Sequence, residues 1–348
     1  MGTAAAARKL ASAAAYGGGG LSLLGAGLYG VLTAEAKLAR RTIGVTHSER
    51  PPDATGWYGR RRSGPAIKIA LLGDSGAAGY GVDRVEDTPG AHLGSGVSEQ
   101  SGRRVYLREF AVVGAQSSDL MAQVEAALPM EPDVAVINIG ANDVTHSVLP
   151  SQSVRHLSKA VGRLRDRGVD VVVGTCPDLG TVQPIAPPLK QVARAWSRRL
   201  AAAQTIAVVE AGGRSVSLGS ILGPEFAAAP AVLFGPDQFH PSAEGYASLA
   251  TVLIPSTLAA LGLIPPEEVE PEAYRGEGVL PISHAAVAAA RTPGTEVDGT
   301  VVAGARVGVR GRWALLRHRR RHPQGEVESP ETEEPVGSLT AAASETSA

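Results

Sequence analysis

The chain is short of several things that would narrow its chemistry at once. A single cysteine, Cys176, stands in 348 residues, which excludes an intrachain disulfide framework. It follows the apolar run 171–173, so it reads as a small buried residue and says little about redox compartment. Aromatic residues make up only 4% of the chain, against 42 glycines and abundant alanine. That balance suits a closely packed core and leaves little from which to build an aromatic binding platform. Neither charge is in excess: 33 Lys and Arg against 34 Asp and Glu give a net charge of −1, with no global pull toward nucleic acid. No internal repeat is visible. His92 has no acidic or histidine partner at ligand spacing and reads as structural, and neither a metal nor a cofactor is expected.

Charge is missing altogether from residues 10–34, a stretch of 25 residues between Arg8-Lys9 and Glu35. That is long enough to cross a bilayer, although Gly17 to Gly20 are consecutive and much of the rest is alanine. A single-span anchor, a secretory signal and an apolar docking helix all fit. A glutamate at the only cleavage-like position, Ala34-Glu35-Ala36, favours the uncleaved anchor, giving a membrane-anchored or secreted protein. Basic residues on both sides leave the orientation unreadable. The chain divides into a basic terminus (1–9), the apolar segment (10–34), a Pro/Gly/Arg-rich linker (35–65), a folded domain (66–265) and an irregular to disordered tail (266–348). The tail holds a basic run, 306–322, open to reading as a membrane-surface patch, a nucleic-acid contact or a solvated tail, and then an acidic end.

Within the domain, short apolar runs alternate with amphipathic ones. Strands are expected at 67–72, 104–113, 133–139, 169–175 and 205–209. Helices are expected at 88–101, after a Ser117–Asp119 cap, and at 152–167, 189–204 and 243–262, the last capped by Ser242. Alternation of this kind means βαβ units and a mostly parallel sheet.

The first strand stops at Gly73-Asp74-Ser75, followed by small residues. In an open α/β sheet the carboxyl edge of the strands is where ligands bind. Three readings compete for this turn. A dinucleotide site would need G-x-G-x-x-G, an order that Gly73, Gly76, Gly79 and Gly81 do not give. A plain helix cap would use Asp74 or Ser75. A nucleophilic Ser75 would need a base, a group to orient it and oxyanion donors from elsewhere in the chain. Later element boundaries carry those residue types. His240 has a carboxylate, Asp237, three residues before it in an irregular loop. The oxyanion donors would be the Ser75 and Gly114 N–H groups and the Asn142 side-chain amide, with glycine at 114 leaving room for the carbonyl oxygen.

Gly73-Asp74-Ser75 with Gly79, then Gly114, Gly140-Ala141-Asn142-Asp143 and Asp237-Gln238-Phe239-His240-Pro241 resemble the four sequence blocks of the SGNH (GDSL-type) hydrolases. The resemblance covers about residues 66–262, with Gly114 alone carrying the second block. It implies a flavodoxin-like three-layer α/β/α sandwich and metal-free, cofactor-free hydrolysis of carboxylic esters such as lipids or O-acetylated carbohydrate. It also implies Ser75 as nucleophile, His240 as base, Asp237 as its orienter, and Ser75, Gly114 and Asn142 around the oxyanion. Asp74 and Asp143 would fix their loops. The competing class is a catalytically silent binding protein displayed at a membrane by residues 10–34. A nucleic-acid regulator using the 306–322 arginines is the third and is not expected. Substrate identity and oligomeric state are not readable.

Overall fold

Ile67 to Gly73 form a strand whose side chains alternate between two buried faces, and every other element takes its place from it. The computed structural model describes residues 50–263, the pair Ala34-Glu35, and strands within 296–309. The apolar segment, but for Ala34, and the basic run beyond residue 309 lie outside the described residues. Among the described residues, no helix is long and apolar enough to cross a membrane.

The strands are β1 (Gly56–Tyr58), β2 (Ile67–Gly73), β3 (Val105–Glu109), β4 (Val134–Asn138), β5 (Asp170–Gly174), β6 (Arg214–Val216) and β7 (Glu296–Val297). They form one sheet in the order β1-β3-β2-β4-β5-β6-β7. The inner five, β3 to β6, run parallel, and β1 and β7 are antiparallel edges. A separate hairpin joins β8 (Gly299–Val302) to β9 (Ala305–Val309). After the edge strand β1, the chain enters the middle of the sheet at β2, steps to β3 on one side, and crosses back to β4 on the other. That reversal is the topological switch point of a flavodoxin-like sheet, where a crevice opens at the strand ends.

Helices cover both faces. They are α1 (Ser75–Ala78), α2 (Pro89–Ser101), α3 (Leu120–Ala127), α4 (Ala141–Thr145), α5 (Pro150–Arg165) and α6 (Leu189–Glu210). Short helices α7 (Leu218–Ile221), α8 (Gly223–Ala228) and α9 (Pro230–Leu233) precede α10 (Ala243–Ala260). Ile67, Ile69, Leu71, Val134 and Val136 pack under α2 and α10, while Ala70, Leu72, Ala135 and Ile137 pack under α3 and α5. Both faces of the central strands are buried, so these strands read as continuous apolar runs without polar alternation. Truncating a fully buried leucine such as Leu72 to alanine in such a core costs about 2–5 kcal/mol.

Three expectations are corrected. TIAVV at 205–209 is the last part of α6, not a strand. Leu200, Gln204, Thr205, Val208 and Val209 are buried at helical spacing, and the edge strand comes later, at Arg214–Val216. A short apolar run cannot by itself separate a strand from a buried helix turn. The 35–65 segment is not wholly a linker: Ala54 lies in the core, β1 pairs with β3, and Tyr58 Oη donates to Ala54 O at 2.6 Å. The tail is not irregular throughout, since β7 extends the sheet next to β6.

Candidate active site

Gly73 ends β2 with φ +139°, and a Cβ there would sit 1.9 Å from the Asn138 carbonyl oxygen. Only glycine lets β2 and β4 approach this closely at their ends. The Asp74 N–H then donates to Asn138 O at 3.1 Å, and its carboxylate accepts the Gly76 N–H at 2.9 Å, capping α1. Burial pushes the Asp74 carboxyl up to about 6, against the Gly76 N–H that holds it down. Ser75 therefore begins a helix on a tight turn, with its hydroxyl at the carboxyl edge of the sheet.

His240 meets it from the other end of the chain. His240 Nε2 lies 3.0 Å from Ser75 Oγ, and His240 Nδ1 lies 2.7 Å from Asp237 Oδ2. The other Asp237 oxygen accepts the N–H groups of Phe239 (3.0 Å) and His240 (2.9 Å). Burial raises the Asp237 carboxyl, but these hydrogen bonds outweigh it and leave it below the ordinary carboxylate value. The rings of Tyr80 and Phe239 stand 4.8 and 4.9 Å from the imidazole. Tyr80 is held in turn by the buried Tyr246, whose hydroxyl donates to Tyr80 O at 2.6 Å.

The loops that would supply oxyanion donors lie against each other. Val112 N–H donates to Gly73 O (3.0 Å), and the turn 112–115 closes through Ala115 N–H to Val112 O. Asn142 Nδ2 donates to Ala115 O at 3.0 Å, which leaves one amide hydrogen for another acceptor. Among the described residues, neither the Ser75 nor the Gly114 N–H donates to any group. Gly114 has φ +83°, which by itself favours glycine, and a Cβ there would meet no protein atom within 4 Å. Asp143 holds the neighbouring helices: it accepts from Ser117 Oγ (3.0 Å), Ser153 Oγ (2.8 Å) and the Ser117 N–H. Before α3, residues Ser117–Asp119 form a 3-10 turn, and the Asp119 carboxylate accepts the Gln116 N–H at 2.8 Å, within the Ser117–Asp119 cap that the sequence suggests.

A hydroxyl, an imidazole and a carboxylate in hydrogen-bonded series, beside uncommitted donors at a switch point, is the arrangement acyl transfer needs. The sequence model of the GDSL-like lipase/acylhydrolase family matches residues 71–248, which spans these groups from β2 to α10. The chain belongs to this family. It is thereby an ester-hydrolysing enzyme. A GDSL-like esterase of Mycobacterium tuberculosis is 42% identical over 255 residues, covering 70% of this chain and 80% of the relative. Among solved structures, a lipase/acylhydrolase from Enterococcus faecalis is 19% identical, covering 58% of this chain and 100% of that one at a TM-score of 0.44. An acetylxylan esterase from Geobacillus stearothermophilus is 17% identical, covering 58% and 97% at a TM-score of 0.43.

In this GDSL-family site, two buried glutamines do work that the sequence reading missed. Gln123 on α3 accepts the Gly73 N–H (2.8 Å) and donates to Gly73 O (2.9 Å), clamping the residue on which the nucleophile turn is built. Gln204 on α6 accepts the Cys176 N–H (2.7 Å) and donates to Ile139 O (2.9 Å), tying the ends of β4 and β5 together. A glutamine on the buried stripe of an amphipathic helix is the sequence signal that could have found them. A cavity of about 100 Å³ opens beside Ser75 and His240, lined chiefly by apolar residues including Leu179, Leu218, Phe226 and Phe234. Asn138, also missed, borders it at the end of β4. Cys176 is buried, and burial drives its thiol well above the ordinary value, consistent with an inert packing role. Among the described residues no cluster of His, Cys, Asp or Glu has the arrangement of a metal site.

Proposed function

We propose that ester hydrolysis here is acyl transfer through Ser75. The observation that carries the reading is the pair of contacts on one imidazole, His240 Nε2 to Ser75 Oγ at 3.0 Å and His240 Nδ1 to Asp237 Oδ2 at 2.7 Å. Asp237, held as a carboxylate, accepts a hydrogen bond from Nδ1–H and so leaves the Nε2 lone pair for the serine O–H. Ser75 Oγ attacks the ester carbonyl carbon as its proton passes to Nε2. The tetrahedral oxyanion is held by the Ser75 and Gly114 N–H groups and the Asn142 amide. It collapses by expelling the alkoxide, which takes the proton from Nε2 and leaves as the alcohol. Water then attacks the acyl-serine with the same base, releasing the carboxylic acid and the free hydroxyl.

The cavity beside the serine is small, about 100 Å³, and its walls are chiefly apolar. We assign it to a short acyl group, with the alcohol part lying toward solvent. The uncharged 10–34 segment is assigned to tethering the enzyme to a membrane. Alkaline-carbonate extraction of the full chain checks this, since a peripheral protein leaves the membrane under those conditions.

A serine-directed fluorophosphonate should label Ser75 and no other residue, and Ser75→Ala should lose both label and turnover. Turnover surviving Ser75→Ala at the wild-type level would remove the nucleophile and the mechanism with it.

A further inference from the structure

The strand ends divide the molecule into two edges of very different character. At the carboxyl edge, which carries Ser75, the turn after α1 is charged (Asp83, Arg84, Glu86, Asp87), but the segments 110–118, 144–149, 175–189 and 226–236 contain one Asp, Glu, Lys or Arg between them, Asp178. That residue is buried and neutralised by Arg198 at 2.9 Å, with Arg194 at 3.5 Å. At the opposite edge every turn is charged: Arg103-Arg104, Glu131 and Asp133, Arg165-Asp166-Arg167, and Glu210 with Arg214.

Exposed apolar side chains follow the same division. Val112, Val113, Leu149 and Val232 lie on those uncharged segments, and Val192 lies in the first turn of α6, directly after one of them. Val112 (55% exposed), Leu149 (54%) and Val232 (54%) are the most open. Of the other large hydrophobics exposed among the described residues, Val85 sits in a charged turn at the same edge and Trp57 is on β1. Exposed valines are ordinary singly. Five on the uncharged connections of one edge make that side of the molecule the more apolar one.

A second observation says what covers it. The uncharged stretch ends at Ala34, and Glu35 Oε2 accepts the Leu189 N–H at 2.9 Å. Leu189 is the last residue of the 175–189 rim segment and the first of α6. The chain that leaves the rim there continues into 25 residues without a charge, enough to enter a bilayer.

We propose that this rim is a lipid-docking face, on which the carboxyl edge lies against the bilayer with the active-site mouth turned toward it. Val112, Val113, Leu149, Val192 and Val232 enter the headgroup region as an interfacial apolar face does. The charged turns of the opposite edge stay in water. Esters carried in the membrane then reach Ser75 without crossing the aqueous phase. The surface rests on topology and charge, not on the serine mechanism, and its test is made independent of catalysis.

The full chain bearing Ser75→Ala is reconstituted in phosphatidylcholine vesicles with an environment-sensitive fluorophore at Val112→Cys, Val232→Cys or, as control, Glu131→Cys. Cys176 is buried and does not compete for label. Nitroxide-labelled lipids should quench the probes at 112 and 232 several-fold more than the probe at 131. Equal quenching at all three, or none at 112 and 232, overturns the proposal. So does a blue shift at 112 and 232 that lipid nitroxides leave unquenched, which identifies a second copy as the occupant. In the active enzyme, Val192→Glu with Val232→Glu should lower turnover of a vesicle-borne ester several-fold and leave a soluble short aryl ester unchanged. Equal loss on both substrates also counts against the docking face.

Discussion

Gln123→Leu removes the clamp on Gly73 with little change of side-chain volume. Gly73 O keeps a second donor, the Val112 N–H at 3.0 Å, so its loss is one hydrogen bond, about 1 kcal/mol. The Gly73 N–H has no such reserve: it donates to Gln123 Oε1 alone, and in a leucine variant it is buried without an acceptor. An orphaned buried N–H costs about 1–3 kcal/mol, so the expected destabilisation is about 2–4 kcal/mol. For a domain of this size that lowers Tm by about 5–15 °C. Differential scanning calorimetry on the full chain reads it directly. The turn after Gly73 carries Ser75, so kcat should fall as well, with KM changing less, because a displaced nucleophile loses its alignment to His240 while the acyl cavity is intact. A Tm within 2 °C of wild type would refute the reasoning, since it would mean that water or a neighbouring group satisfies Gly73 at no cost.

Ser75→Ala, His240→Ala and the double variant should lose nearly equal amounts of kcat, since the pair acts as a unit; additive losses in steady-state kinetics would separate their roles. Asn142→Ala removes one oxyanion donor and should lower kcat by about 10²–10³, with Asp237→Asn intermediate because the histidine can settle in the wrong tautomer. Glu109 Oε1 is buried without a hydrogen-bond partner, and burial, with Asp53 adding to it, raises the carboxyl to about 8 against the opposing Ala54 N–H. Between its ordinary 4.5 and about 8, the folded state keeps a proton that the unfolded chain releases, so stability is highest below that range and falls as pH rises through it. Urea unfolding at pH 5 and pH 8 should show a smaller pH dependence in Glu109→Gln, by up to about 1.4 kcal/mol per pH unit; identical slopes would place that carboxyl in water. A chain beginning at residue 60 lacks Ala54 and β1 and should melt lower and less cooperatively than one beginning at residue 50; equal melting would return residues 50–59 to the linker.

The parallel core was legible because its signal is local. Runs such as 67–72 and 133–139 are β-branched and stop at glycine-led turns, Gly73-Asp74-Ser75 and Gly140-Ala141-Asn142-Asp143, and the residues that end them sit at the site. The triad was legible because residue type and position at element ends narrow the chemistry before any distance is known. What failed was decided at long range. TIAVV is apolar in either secondary structure, and its packing as the last turns of α6 against β6, where Ser215 Oγ donates to Thr205 Oγ1, is not visible locally. Ala54 and β1 sit in a Pro/Arg-rich stretch whose pairing with β3 depends on residues some 50 positions on. Gln123 and Gln204 satisfy backbone groups 50 and 65 positions away, which no local pattern encodes. The positive φ of Gly114 was not legible, because a backbone dihedral leaves no trace beyond the glycine itself.

Ser75 and His240 stand 165 positions apart, on the first and last connections of the parallel sheet. During synthesis, the half of the site that bears the hydroxyl emerges and can fold long before the imidazole exists. A nascent or prematurely ended chain therefore has a serine with no base beside it. On the proposed mechanism, the reaction is switched on by completion of the domain.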